Sequence, residues 1–284
     1  MYILKVENRN GAVLRLSQNE SKYQILKIDG LTPPDADITS STLANMHGEK
    51  FKSSKIGVRN VVINLRLQGN VEENRIALYD FFDNGEEVKI YYQNGMRNVF
   101  IDGYCEKVDS DFFSKDEEMQ ISIVCLSPFW KNINTTRIDI SQVFDNFEFP
   151  FAIEKEGISF SDYFENREVN IINSGEVETG VKITLTTSTN NIVNPVIYNV
   201  HTREFLKLNT NIDIGDKIII NTNKGEKSIT KISNGIPVNE INSLGNDSTW
   251  LQLSKGSNLF TYQSEENQNS LRVVFEFNNL YKGV

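Results

Sequence analysis

Between residues 59 and 68 the chain reads RNVVINLRLQ. Val61, Ile63, Leu65 and Leu67 share one parity, and Val62, Asn64, Arg66 and Gln68 share the other. A period of two is the repeat of a strand whose successive side chains point to opposite faces, so one face of this segment is to be buried. The same alternation returns at Tyr2, Leu4, Val6; at Val88, Ile90, Tyr92; and at Met119, Ile121, Ile123, Cys125. It returns again at Val181, Ile183, Leu185 and at Leu271, Val273, Phe275, Phe277. Strands therefore dominate. The 17 Phe and 10 Tyr fit the same preference, because aromatic side chains pack well on a pleated surface. From Val169 onward the strands are short and separated by Gly or Asn turns, which is the pattern of a sandwich or jelly roll.

One segment breaks the period. In NVEENRIALYDFFDNG, Asn70 stands where a helix N-cap belongs and Glu73 follows three residues later. Val71, Leu78, Tyr79 and Phe82 then fall on one face at helical spacing, and Asn84-Gly85 supplies the stop. This predicts a single amphipathic helix packed on a sheet. Two strand-like runs around Asn94-Gly95 follow, and that dipeptide predicts a tight hairpin because both residues tolerate positive φ. From residue 127 to 165 the periodicity weakens, acids accumulate, and Pro128 and Pro150 appear. The expected division is a first domain over 1–132, a connecting segment over 133–165 and a second domain over 166–284.

Charge and composition remove several classes of function. A net charge of -9 and a pI near 5.0 argue against a general nucleic-acid binder, whose footprint is a basic face. No run of 18 apolar residues is present to span a membrane as a helix, and MYILKVENRN has no signal-peptide pattern. Cys105 and Cys125 are too few for a disulfide framework and read as reduced core thiols of a protein made in a cytoplasm. The two histidines, His47 and His201, fall in different expected domains, and His201 reads as a turn or surface residue. Nucleophile-elbow, Walker-type, Rossmann and His-Glu-x-x-His motifs are all missing. Asp213 and Asp216 bracket Gly215 in a turn, and DSDFFSKDEEMQ reads as a solvated connector. No residue is assigned as catalytic, cofactor-binding or metal-ligating, no cofactor is implied, and the chain reads as non-enzymatic.

The order of the segments carries more than any one of them. IDGLTPPDADITSS, HGEKFKSSKIGVRNVVINLRLQG, ENRIALYDFFDNGEEVKIYYQNGMRNVFIDGYCEKV and MQISIVCLSPFWK follow one another in the first half. NSGEVETGVKITL, LNTNIDIGDKIIINTNKGEKSI and STWLQLSKGSNLFTY follow in the second. In that order they resemble the distal tail protein family, the siphophage tail component family of phages and prophages of Gram-positive bacteria. The resemblance implies an N-terminal β-sandwich with one α-helix and a β-hairpin, followed by a C-terminal galectin-like β-sandwich. It also implies a structural role: a hexameric ring hub at the virion tail tip, made in the host cytoplasm, joining the tail tube protein to a central fibre or baseplate hub protein. The alternative is a carbohydrate-binding adhesin or receptor-binding module of the tail tip. Trp250 is the residue that would stack on a sugar in that case, but its alternating apolar neighbours favour a core position.

One feature of the charge pattern remains. HGEKFKSSKIGVRN concentrates Lys50, Lys52, Lys55 and Arg59 in an acidic chain, with no aromatic platform of the kind single-strand binders use. The expectation is a ring seam in which these residues meet acids of a neighbouring copy, namely Asp109, Asp111, Asp116, Glu117 and Glu118.

Overall fold

The structure is a computed structural model that describes residues 2–17, 22–44, 47–112, 117–140 and 168–284. The chain divides into two compact units, residues 1–133 with 280–284 and residues 134–279.

The first unit is built on one antiparallel sheet. In chain order its elements are β1 (Ile3–Asn8), β2 (Val13–Leu16), β3 (Tyr23–Asp29), β4 (Ala36–Thr42), β5 (Glu49–Ile56), β6 (Arg59–Leu67), α1 (Val71–Phe81), β7 (Glu87–Gln93), β8 (Asn98–Ser110), β9 (Glu118–Cys125) and β10 (Trp130–Asn132). The main sheet has the order β2-β1-β7-β8-β9-β6-β3, and β10 pairs with β8. The parity read from the sequence holds: Val61, Ile63, Leu65, Ile90, Ile101, Met119, Ile121 and Ile123 are all buried in one cluster. Full burial of each such side chain stabilises the unit by about 1.5–3 kcal/mol relative to exposure. Val62 and Val124, on the other parity, are only half-buried.

The helix forms where expected, but its inward face is narrower than predicted. Leu78 and Phe82 enter the core, whereas Tyr79 stays exposed and bonds the Ser110 hydroxyl at 2.7 Å. Asn74, not an apolar residue, completes the inward face by donating to the Gln68 carbonyl at 2.7 Å. Asn70 does not cap the helix through its side chain; it donates to the Glu73 carboxylate at 2.9 Å instead. Gly85, at φ 86, ends the segment as predicted. The hairpin between β7 and β8 also forms, by a different turn. Neither Asn94 nor Gly95 has positive φ; the Asn94 side chain accepts the Met96 and Arg97 amides at 2.8 and 2.7 Å, in a loop of four residues. The side-chain chemistry of Asn substitutes for the left-handed backbone.

The second unit is a sandwich. One layer has six strands: β11 (Thr136–Asp139), β13 (Lys182–Thr187), β16 (Lys217–Asn221), β17 (Ser228–Ser233), β18 (Ile236–Asn239) and β20 (Leu271–Phe277), in the order β11-β20-β13-β16-β17-β18. The other has four: β12 (Glu168–Asn173), β14 (Val196–Asn199), β15 (Glu204–Lys207) and β19 (Gly256–Gln263), in the order β12-β19-β14-β15. Ile183, Ile220 and Phe275 of the first layer share a buried cluster with Ile171, Ile197 and Phe260 of the second. The Phe260 and Phe275 rings lie 5.1 Å apart across it.

The domain boundaries differ from those expected. Thr136–Asp139 is a strand of the second unit, pairing with β20, so the connecting segment does not begin at residue 133. Residues 141–167 of that segment lie outside the described residues. The last stretch of the chain leaves the second unit: β21 (Leu280–Tyr281) pairs with β10, opposing Trp130 to Tyr281 and Lys131 to Leu280. The second unit is thus an insertion between β10 and β21 of the first. No helix is long and apolar enough to cross a membrane among the described residues.

Candidate interaction surfaces

The basic stretch splits into two structures with opposite properties. β4 and β5 form a ribbon that pairs with no other strand among the described residues. Register opposes Asp37 to Lys55, Thr39 to Ser53 and Ser41 to Lys50 on one face, and Ala36 to Ile56, Ile38 to Ser54 and Ser40 to Phe51 on the other. Lys52 falls at the irregularity between these registers. The ribbon is therefore two-sided, with Lys50 and Lys55 on one face and Ile38, Phe51 and Ile56 on the other. Ile38 is 68% exposed and Phe51 61% exposed. Lys50, Lys52 and Lys55 are exposed and make no ion pair among the described residues. Bulky apolar groups facing solvent on an isolated ribbon are costly in a monomer and ordinary at an interface.

Arg59 does not belong to that surface, which corrects the expected seam. It opens β6 and is 2% exposed. Its Nε donates to the Pro128 carbonyl at 2.8 Å and its Nη1 to the Thr32 carbonyl at 2.8 Å. Nη1 also bonds the Gly30 carbonyl, and Nη2 bonds the Lys282 carbonyl. The Trp130 ring lies 5.8 Å away. Burial lowers the guanidinium pKa from its ordinary value, and the carbonyl oxygens compensate the lost hydration. Gly30 has φ 84, and a Cβ there would lie 2.1 Å from the Asn60 carbonyl, so only glycine brings its own carbonyl to the guanidinium. The chain end is held from other sides too: Val284 donates its amide to the Leu31 carbonyl at 3.1 Å, and Arg97 stacks over Tyr281 at 4.1 Å.

The acids expected opposite the lysines are partly engaged at home. Asp109 pairs with Lys107 at 2.6 Å and Glu118 with Arg66 at 3.5 Å. Asp111 is exposed and its amide donates to the Glu118 carbonyl at 3.0 Å, while the Glu117 carbonyl accepts the Leu67 amide at 3.0 Å. Asp116 lies outside the described residues. None of the described acids of this group pairs with Lys50, Lys52 or Lys55 within the protomer.

Elsewhere the structure gives candidate chemistry little support. Cys105 and Cys125 are free and buried, and desolvation pushes their thiols up to about 11 and about 12. His201 sits in an exposed turn with Nδ1 3.2 Å from the Ser257 carbonyl. Burial works to raise the Asp216 carboxyl, but hydrogen bonds from Ser233 and Lys231 and the Lys231 charge hold it below its ordinary value. It pairs with Lys231 at 3.2 Å and its amide closes the turn to the Asp213 carbonyl at 2.9 Å. Trp250 packs on the second core, with the Lys227 ammonium 5.5 Å from its ring centre. Among the described residues no three of His, Cys, Asp and Glu gather to hold a metal.

Sequence and fold comparisons agree with the architecture. Residues 174–281 match the family described as siphovirus-type tail component, C-terminal domain. No curated protein matches the chain. The solved SPP1 Dit protein, described as a hub of the adsorption apparatus in phages infecting Gram-positive bacteria, superposes with a TM-score of 0.69 at 12% identity, over 98% of this chain and 99% of that one. A chain of the phage P2 baseplate in its activated conformation with Ca gives 0.54 at 12% identity, over 97% and 98%. The same baseplate with Sr gives 0.53 at 11% identity, over 98% of each chain. The resemblance to phage distal tail proteins is borne out, and the fold likeness covers both units. Missing from the sequence reading were Ile38 and Phe51, whose apolar face emerges only once the register of β4 on β5 is known.

Proposed function

We propose that this protein is a structural hub of a phage tail tip, assembling through its first unit into a closed ring, with six copies as the family resemblance implies. The observation that carries the reading is the β4–β5 ribbon: an apolar face of Ile38 and Phe51 open to solvent, backed by lysines that pair with no acid among the described residues. A second copy seated on that ribbon buries the apolar face, and the lysines meet acidic side chains of the neighbour, with Asp111 and Glu117 the leading candidates. Such charge pairs set register and orientation more than affinity. A head-to-tail contact of this kind leaves no exposed ribbon once rotation closes it. The ring stacks between the tail tube protein on one side and a fibre or baseplate protein on the other, and the second unit acts as a docking surface.

Multi-angle light scattering of the purified chain, with negative-stain microscopy in the presence of tube and fibre proteins, tests this. Closed rings of six are expected at high concentration or with partners. A strictly monomeric protein that forms no ring even with both partners sinks the reading.

A further inference from the structure

The outer face of the four-stranded layer brings aromatic, charged and amide side chains together. Register aligns Phe205, Tyr198 and Thr261 in one row across β15, β14 and β19, and Lys207, Val196 and Gln263 in the next. The Tyr198 and Phe205 rings lie 6.0 Å apart, inclined at 42° to one another, and stay partly exposed, forming an angled aromatic platform. Beyond them Glu265 accepts from Asn194 Nδ2 at 2.7 Å and from Lys207 Nζ at 3.1 Å. These groups, Thr261 apart, line one cavity of about 230 Å³.

We infer that this cavity is a saccharide subsite, in which one pyranose ring lies against Tyr198 and Phe205 and its hydroxyls bond Glu265, Lys207, Gln263 and Asn194. The chemistry selects the class. Carboxylate, ammonium and two amides together offer both donors and acceptors at short spacing, as vicinal hydroxyls require, since each hydroxyl gives one hydrogen and accepts others. Glu265 already balances Lys207, which removes the net charge that a phosphate or a free cation would need. The volume lies below the roughly 300–1,000 Å³ of sites for drug-sized ligands, so it admits about one ring. Apolar CH groups on one face of the sugar match the aromatic platform, and the preset Glu265 network reduces the ordering cost of binding. The inference is independent of the ring, because it uses only the second unit's own residues. It also moves the sugar-stacking role away from Trp250, which packs on the core and lines no part of this cavity.

The test is saturation-transfer NMR and titration of the full chain with lactose, cellobiose and chitobiose. At least one of the three is expected to bind in the millimolar range, with transfer concentrated on ring hydrogens. Phe205→Ala and Tyr198→Ala should each weaken it by about tenfold or more. Because those side chains are partly packed, Glu265→Gln provides a variant at a side chain 53% exposed, with an expected loss of about threefold to tenfold. Trp250→Ala should leave binding within about twofold. Failure of all three sugars to bind overturns the inference. So does binding that survives the Phe205, Tyr198 and Glu265 changes or that follows Trp250 instead.

Discussion

Glu49–Ile56 and Arg59–Leu67 are separated by two residues, both begin a strand, and both contribute cations to an acidic chain. Their fates are opposite. Lys50, Lys52 and Lys55 stand on a ribbon exposed on both faces, and their ammonium groups find no partner acid among the described residues. Arg59 is almost entirely enclosed, and its planar fork reaches carbonyls from three separate parts of the chain: Gly30 and Thr32, Pro128, and Lys282. The difference teaches that a cluster of like charge in sequence need not be one site. Arginine tolerates burial because its five rigid donors can each be satisfied by a carbonyl, whereas lysine's compact, strongly hydrated ammonium favours the surface. One segment therefore ties distant parts of the chain together, and the other stays at the surface.

The contrast is broken most severely at Arg59. Arg59→Ala should lower stability by about 3–5 kcal/mol, because it strands buried carbonyls and the Trp130 face at once. A shift in the urea midpoint measures this, and Arg59→Lys should recover only part of it. Deleting residues 280–284 removes β21 from its pairing with β10 and the Lys282 carbonyl from Arg59. A loss of about 2–4 kcal/mol is expected in thermal melts, confined to the first unit. A mild or absent effect would mean that the returning chain end is ornamental to that unit.

A smaller effect comes from pH. Desolvation raises the thiols of Cys105 and Cys125 above their value in the unfolded chain, 9.0, to about 11 and about 12. The folded state holds these protons more tightly, so the associated stability is intact below pH 9 and is lost as pH rises through the folded values. Tyr91, pushed up to about 12 by burial and by its hydrogen bond to Glu7, adds to the same limb. Melting temperature against pH should fall steeply on the alkaline side, less steeply once Cys105 and Cys125 are both Ala. A flat alkaline limb in the parent protein contradicts the burial of these groups.

Much of this was legible in the sequence, for a reason visible in particular residues. Val61, Ile63, Leu65, Ile90, Ile121 and Phe275 announce their strands because burial acts on every second residue and leaves a local period. What depends on distant partners leaves no such trace. Nothing in VRNV distinguishes Arg59 from an exposed basic residue, since its four carbonyls come from positions 30, 32, 128 and 282. Leu280 and Tyr281 read as one more strand of the second domain, because only the sheet pairing assigns them to the first unit. Tyr79 fits the helical stripe, yet its hydroxyl draws it outward to Ser110. Tyr198 and Phe205 fall on one face only after β14 is registered on β15, so their platform is invisible in either strand alone.

The smallest expected effect on stability tests the central claim most directly. Lys50→Glu, Lys52→Glu and Lys55→Glu combined should change the unfolding free energy by less than about 0.5 kcal/mol, because no ion pair among the described residues is lost. Light scattering at low salt, where charge pairs are least screened, should show rings for the parent protein and monomers for the triple variant. Rings that persist in the variant at low salt would contradict the assignment of the β4–β5 ribbon as the seam between copies.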